Sequence, residues 1–198
     1  MKLLLLYILF WAPTIGAQNL ADDPLLNKYY SAEEIKNMQT ILSFFDEGVL
    51  DACDGSRDIK TCYKQYFKRL DEPDNFDFNV PFQEQKALYD ELDKDVFQSI
   101  WIYSSSKSRT SDGRMKEHAY IDYSPSGKYR KFLSDVAKTE PYFYQYVEPI
   151  ESSGTLSPSL IKGFLYDPSG LDFSNERHRL ILAIHFLTFN DRRSTRPE

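Results

Sequence analysis

The chain has 198 residues, enough for one domain with a sizeable core, and its apolar share of 41% and charged share of 27% belong to a folded globular protein. Only 8 Gly and 10 Pro exclude collagen-like or linker-dominated architecture. With 30 Asp and Glu against 24 Lys and Arg, the net charge of −6 works against a grip on a phosphate backbone, so no nucleic-acid partner is expected.

The first predicted element is a targeting segment. Lys2 precedes an uncharged apolar run from Leu3 to Ala12; Pro13 and Gly16 break it, and small Ala17 precedes Gln18. That is the order of a secretory signal peptide. The run is about half the length that spans a bilayer. Cleavage is expected after Ala17, with Ala21 as the alternative, dividing the chain into a signal peptide (1–17) and a single mainly helical domain (18–198). Losing Lys2 takes the net charge from −6 to −7. No later run is long and isolated enough to cross a membrane, and no Asn-x-Ser/Thr site is present. The product is expected to be soluble and exported, periplasmic or extracellular, with no membrane span after signal cleavage. Residues 18–100 carry 9 bases and 18 acids, and residues 101–198 carry 14 and 12. A solvated helix surface explains that asymmetry better than a face for a cationic partner.

Residues 18–30 read as a short exposed lead-in. Ser31-Ala32-Glu33-Glu34 forms a capping box, with Tyr30 and Ile35 at the staple positions. Ile35, Met38, Leu42, Phe45 and Val49 then mark one face of a helix running to about Cys53. The Asp54–Arg57 turn leads to a second stripe from Ile59 to Leu70, and so short a turn predicts an antiparallel αα-hairpin. Cys53 and Cys62 fall where that hairpin closes. In an oxidising compartment they are expected to form a structural disulfide, and their spacing does not suit a C-x-x-C metal or redox pair.

Asp71 to Pro81 reads as a loop whose Phe76 and Phe78 plug a core edge. Residues 82–95 read as a helix. Phe97 to Tyr103 either continues it or starts a strand, and His118 to Tyr123 alternates strictly. A β-hairpin of about 98–104 with 117–123 is predicted, with Ser104–Arg114 as a mobile loop. Short helices are expected from Tyr129 to Val136 and from Pro141, the latter limited by Pro149. Another opens at Ser157-Pro158. The last helix, capped by Ser174, is apolar on nearly every side from Leu180 to Phe189, so it should occupy the centre. The predicted class is mainly α: a compact single-domain bundle of about seven helices, opening with a disulfide-clamped αα-hairpin and holding one possible β-hairpin near 98–123.

Chemistry-bearing patterns are sparse. Walker A, G-x-G-x-x-G, G-x-S-x-G and H-E-x-x-H are absent, so no cofactor and no metal are expected. The histidines are His118, His178 and His185; the last two sit about 10 Å apart along one helix face, too far to share an ion unaided. The run Tyr142-Phe143-Tyr144-Gln145-Tyr146, flanked by Glu140 and Glu148, offers either a stacking surface or a core face with an aromatic rim. Tyr142, Tyr144, Tyr146, Glu140, Glu148 and His185 are the candidate binding residues. The expected function is an exported binding or interaction protein without catalytic activity, with a protein or carbohydrate partner. The alternative is an exported hydrolase using carboxylates or a histidine on cell-wall or polysaccharide substrates.

Overall fold

A computed structural model describes residues 19–72, 78–154, 160, 163 and 167–195. The expected signal segment, Phe76 and most of the helix expected after Pro158 lie outside them. Among the described residues there are eight α-helices and one two-stranded antiparallel hairpin.

The lead-in is not an exposed arm. A 3-10 turn at Leu20–Asp22 and a short helix α1 (Pro24–Tyr29) bury Leu20 and Leu26. Asp23 caps α1 by accepting from the Leu25 and Leu26 amides, with Pro24 at the first helical position. Helix α2 (Ala32–Asp51) begins at the capping box, with both reciprocal hydrogen bonds formed between Ser31 and Glu34. Its predicted stripe is buried. Helix α3 (Ile59–Leu70) returns beside it, capped by Asp58.

The Cys53–Cys62 disulfide is formed, with the Cα atoms 5.1 Å apart. Closing so short a loop restricts the unfolded chain by about 2.7 kcal/mol in the chain-entropy model. Replacing both cysteines with Ala should therefore lower the melting temperature by roughly 5–10 °C. Calorimetry of the variant beside unreduced wild type checks this, and equal transitions would contradict it.

Tyr66 donates its hydroxyl to the Phe78 carbonyl, and Phe78 plugs the core edge as expected. The helix predicted over 82–95 is two helices, α4 (Phe82–Glu91) and α5 (Lys94–Ile100). Asp93 breaks the run by capping α5 through the Asp95 amide. Strand β1 (Trp101–Arg109) pairs with β2 (Met115–Tyr123), from Trp101 opposite Tyr123 to Arg109 opposite Met115. The expected loop over Ser104–Arg114 shrinks to the turn after Arg109. The serines before that turn have cross-strand partners: Ser105 donates to Glu117, and Ser106 Oγ lies 3.0 Å from His118 Nε2. Only the base of this ribbon enters the core, through Trp101, Ile121 and Tyr123.

Helix α6 (Lys128–Thr139) leads to α7 (Pro141–Ser153), which continues past Pro149. Buried Ile150 and the left-handed Gly154 cap (φ 75°) extend that helix despite the missing proline N–H. Helix α8 (Glu176–Ser194) runs through the centre, as its apolar girdle predicts. Its cap is Asn175 rather than Ser174, whose hydroxyl goes to Asp172 instead. Phe186 stacks on Phe45 and meets the rings of Tyr66, Phe67 and Phe78.

Candidate functional site

The residues singled out on and near α7 do not share one surface. The helical period sends Phe143 and Tyr146 into the core and Tyr144 outward, so no flat aromatic platform forms. Tyr144 is 61% exposed. Tyr142 is half-buried: its hydroxyl donates to the Asp167 carbonyl, and its ring packs against Gly170, where a Cβ would come within 2.0 Å of a ring carbon. Glu148 is exposed on the outer side of the helix.

Glu140 belongs instead to a partly buried ionic cluster at the start of α8. His178 donates from Nε2 to Glu140 at 2.6 Å while its Nδ1 accepts from the Asp172 amide, which fixes the neutral tautomer. Arg177 pairs with Glu140 at 2.6 Å and with Asp23 at 3.0 Å. Burial pushes the Glu140 carboxyl up, but the His178 bond and the Arg177 charge hold it below its usual range. Two more ties close this end of the helix. Glu176 accepts from the Leu20 amide, and Arg179 binds Asp46, which also accepts from the Tyr63 hydroxyl. The cluster ties the N-terminal turn, α2, α7 and α8 together.

His185 sits two turns along α8 in the apolar centre. The Tyr146 hydroxyl lies 2.8 Å from its Nδ1 and 2.9 Å from the Tyr123 hydroxyl. Burial, with the Arg192 charge adding to it, pushes the imidazole from an ordinary 6.5 down to about 3. An unfolded chain would bind a proton there below 6.5, whereas the fold does not until about 3. Stability from this residue is therefore complete above 6.5 and declines as the pH falls toward 3. Urea unfolding at neutral and acidic pH should show that decline in the wild type. It should be weaker in His185→Gln, which keeps an acceptor for Tyr146 without titrating. Parallel losses in the two proteins would contradict this origin.

An open aromatic site lies elsewhere, where the hairpin base meets α4, α5 and the end of α8. Trp101, Tyr89 and Phe97 pack as a rigid cluster with ring centroids 5.1–5.5 Å apart. Trp101 is pinned by its indole N–H, which donates to Thr188. Tyr103 stacks on Phe97 at 5.4 Å and remains 72% exposed. Two hollows meet at this ring. One, of about 220 Å3, is lined by Phe82, Lys86, Tyr120 and Asp191; the other, of about 560 Å3, by Lys94, Phe97, Gln98 and Trp101. Tyr89, Asp90 and Tyr103 border both.

The floor of the smaller hollow is held by α8. Asp191 accepts from the Ile121 amide at 2.8 Å, and Arg192 pairs with Asp122 and lies over the Tyr120 ring. Burial pushes the Asp191 carboxyl above its usual range, against the pull of the Ile121 amide and the Lys86 and Arg192 charges. The site thus offers an exposed ring face, carboxylate acceptors and an ammonium donor on a preorganised base. His118 sits beyond it, opposite Ser106 on the other face of the ribbon. Among the described residues no cluster of three or more His, Cys, Asp or Glu could hold a metal, and no helix is long and apolar enough to cross a membrane.

The sequence carried part of this site. Phe82 and Tyr89 are seven apart, which puts them on one face of α4, and the alternation around Trp101 puts Tyr103 on the face of the core-bound Trp. Asp90 and Asp191 carry no local signal, since only tertiary packing brings them together. The chain matches no family model, and neither a curated protein nor a solved structure is detectably similar to it.

Proposed function

We propose that this is an exported, soluble, non-catalytic binding protein whose ligand docks in the groove at the base of the hairpin. The observation that carries the reading is Tyr103: a large ring left 72% exposed, backed by Phe97 and standing between two hollows. Rigid exposed aromatics supply contact area at low entropic cost. Export rests on the order of residues 1–17, and a disulfide suits an oxidising compartment. Cleavage after Ala17 also keeps Leu20, which is fully buried with its amide on Glu176; cleavage after Ala21 would remove it.

One observation favours the second reading, an exported hydrolase of cell-wall or polysaccharide material. Asp90 and Asp191 border the same hollow, and burial raises Asp191 as a general acid requires. Against it, the hollow is small and Asp191 already anchors the hairpin through Ile121. The exported protein should retain a soluble or cell-wall ligand without altering it. Retention should fail in Tyr103→Ala and persist in Tyr144→Ala. Turnover lost in Asp90→Asn or Asp191→Asn would replace binding with hydrolysis.

A further inference from the structure

Resting on that reading, the geometry points to a neutral oligosaccharide as the ligand, with one sugar ring stacked on the free face of Tyr103 and the chain crossing from one hollow to the other. Three observations select this class. The first is shape. Tyr103 has one ring face on Phe97, which leaves an apolar plate with room on either side for further rings. A pyranose matches such a plate through its C–H face while its edge stays polar.

The second is the balance of hydrogen-bonding groups. Asp90, which borders both hollows, can accept from adjacent hydroxyls, and Lys86 can donate to ring or hydroxyl oxygens. Opposite charges on one rim favour a ligand with no net charge. The third separates a sugar from a proline-rich peptide, the other usual occupant of aromatic grooves. Such a peptide presents carbonyl acceptors and needs donors. The Trp101 indole N–H is already committed to Thr188. The Asp90 carboxylate on the rim would find few partners on that peptide, whereas hydroxyl groups supply them.

The test uses the exported protein, whose only tryptophan after signal removal is Trp101, in the wall of the groove. Hexasaccharides of glucose and of N-acetylglucosamine, and a proline-rich peptide as counter-probe, are titrated against Trp101 emission and by calorimetry. Saturable binding of at least one hexasaccharide is expected. Tyr103→Ala should weaken it about tenfold or more, Tyr103→Phe should retain it, and Tyr144→Ala should leave it unchanged. Circular dichroism confirms folding of each variant, and exposure of the Tyr103 ring makes its loss tolerable. Failure of both sugars to bind overturns the proposal, as does sugar binding indifferent to Tyr103→Ala. Peptide binding in place of sugar overturns the ligand class while leaving the groove as the docking seat. A protein that retains nothing from any source overturns the binding reading itself.

Discussion

Arg177→Met should destabilise the fold by about 3–5 kcal/mol, the range for breaking a buried ion pair by removing one partner. Arg177 lies between fully buried Asp23 and partly buried Glu140. Its loss leaves both carboxylates without their shared cation, with neutral His178 as the remaining close donor to Glu140. In urea the midpoint should fall with little change in slope. Adding Asp23→Asn and Glu140→Gln should recover part of the loss, since neutral amides cost less to bury than unpaired charges, and Asn can still cap α1. The pH dependence has a definite sign. Glu140 is held below its ordinary 4.5 in the wild type, so its contribution is present above 4.5 and lost as the pH falls through the lowered value. The gap between wild type and Arg177→Met should therefore narrow on acidification below 4.5. A gap that is small at neutral pH, or constant with pH, would contradict the electrostatic origin.

Phe186→Ala should cost a similar amount, about 3–5 kcal/mol, for a different reason. The ring is fully buried at the centre of α8, 5.7 Å from Phe45 and 5.3 Å from Phe78 between centroids. These rings come from separate segments and cannot all move inward to fill the vacancy, so the transfer and cavity losses add. Tyr144→Ala, which removes an exposed ring from α7, should stay within about 0.5 kcal/mol. Chemical unfolding of the two variants side by side reads the contrast. Comparable losses would mean that α8 is not the centre of the core.

The parts of the fold legible in sequence are those whose cause is local. The Ser31–Glu34 box, the stripes of α2 and α3, the turn that brings Cys53 to Cys62 and the apolar girdle of α8 each depend on neighbours a few residues away. Elements that differed from expectation were settled by distant partners. The Ser104–Arg109 stretch resembles a loop until Glu117 and His118 stand opposite it. Pro149 reads as a stop until Ile150 finds the core. The Asp23-Pro24 pair was a local helix start that a polar lead-in disguised.

The candidate site was less legible for the same reason. Tyr142 to Tyr146 is dense in aromatics along the sequence, but a helix distributes those rings around its axis and buries two of them. The aromatic groove draws residues from α4, α5, β1, β2 and α8, so no window of sequence displays it. Ionic partners were hidden likewise: His178 and Glu140 are 38 positions apart, and Arg177 reaches both Glu140 and Asp23.

Amide shift mapping by NMR tests the location of the proposed ligand seat most directly, using the protein with the saccharide or other material it retains. The largest changes should fall on 86–90, 101–105 and 119–121, around the exposed ring of Tyr103, with Tyr103→Ala abolishing them. Changes centred instead on 140–148 and the start of α8 would contradict the groove as the binding site.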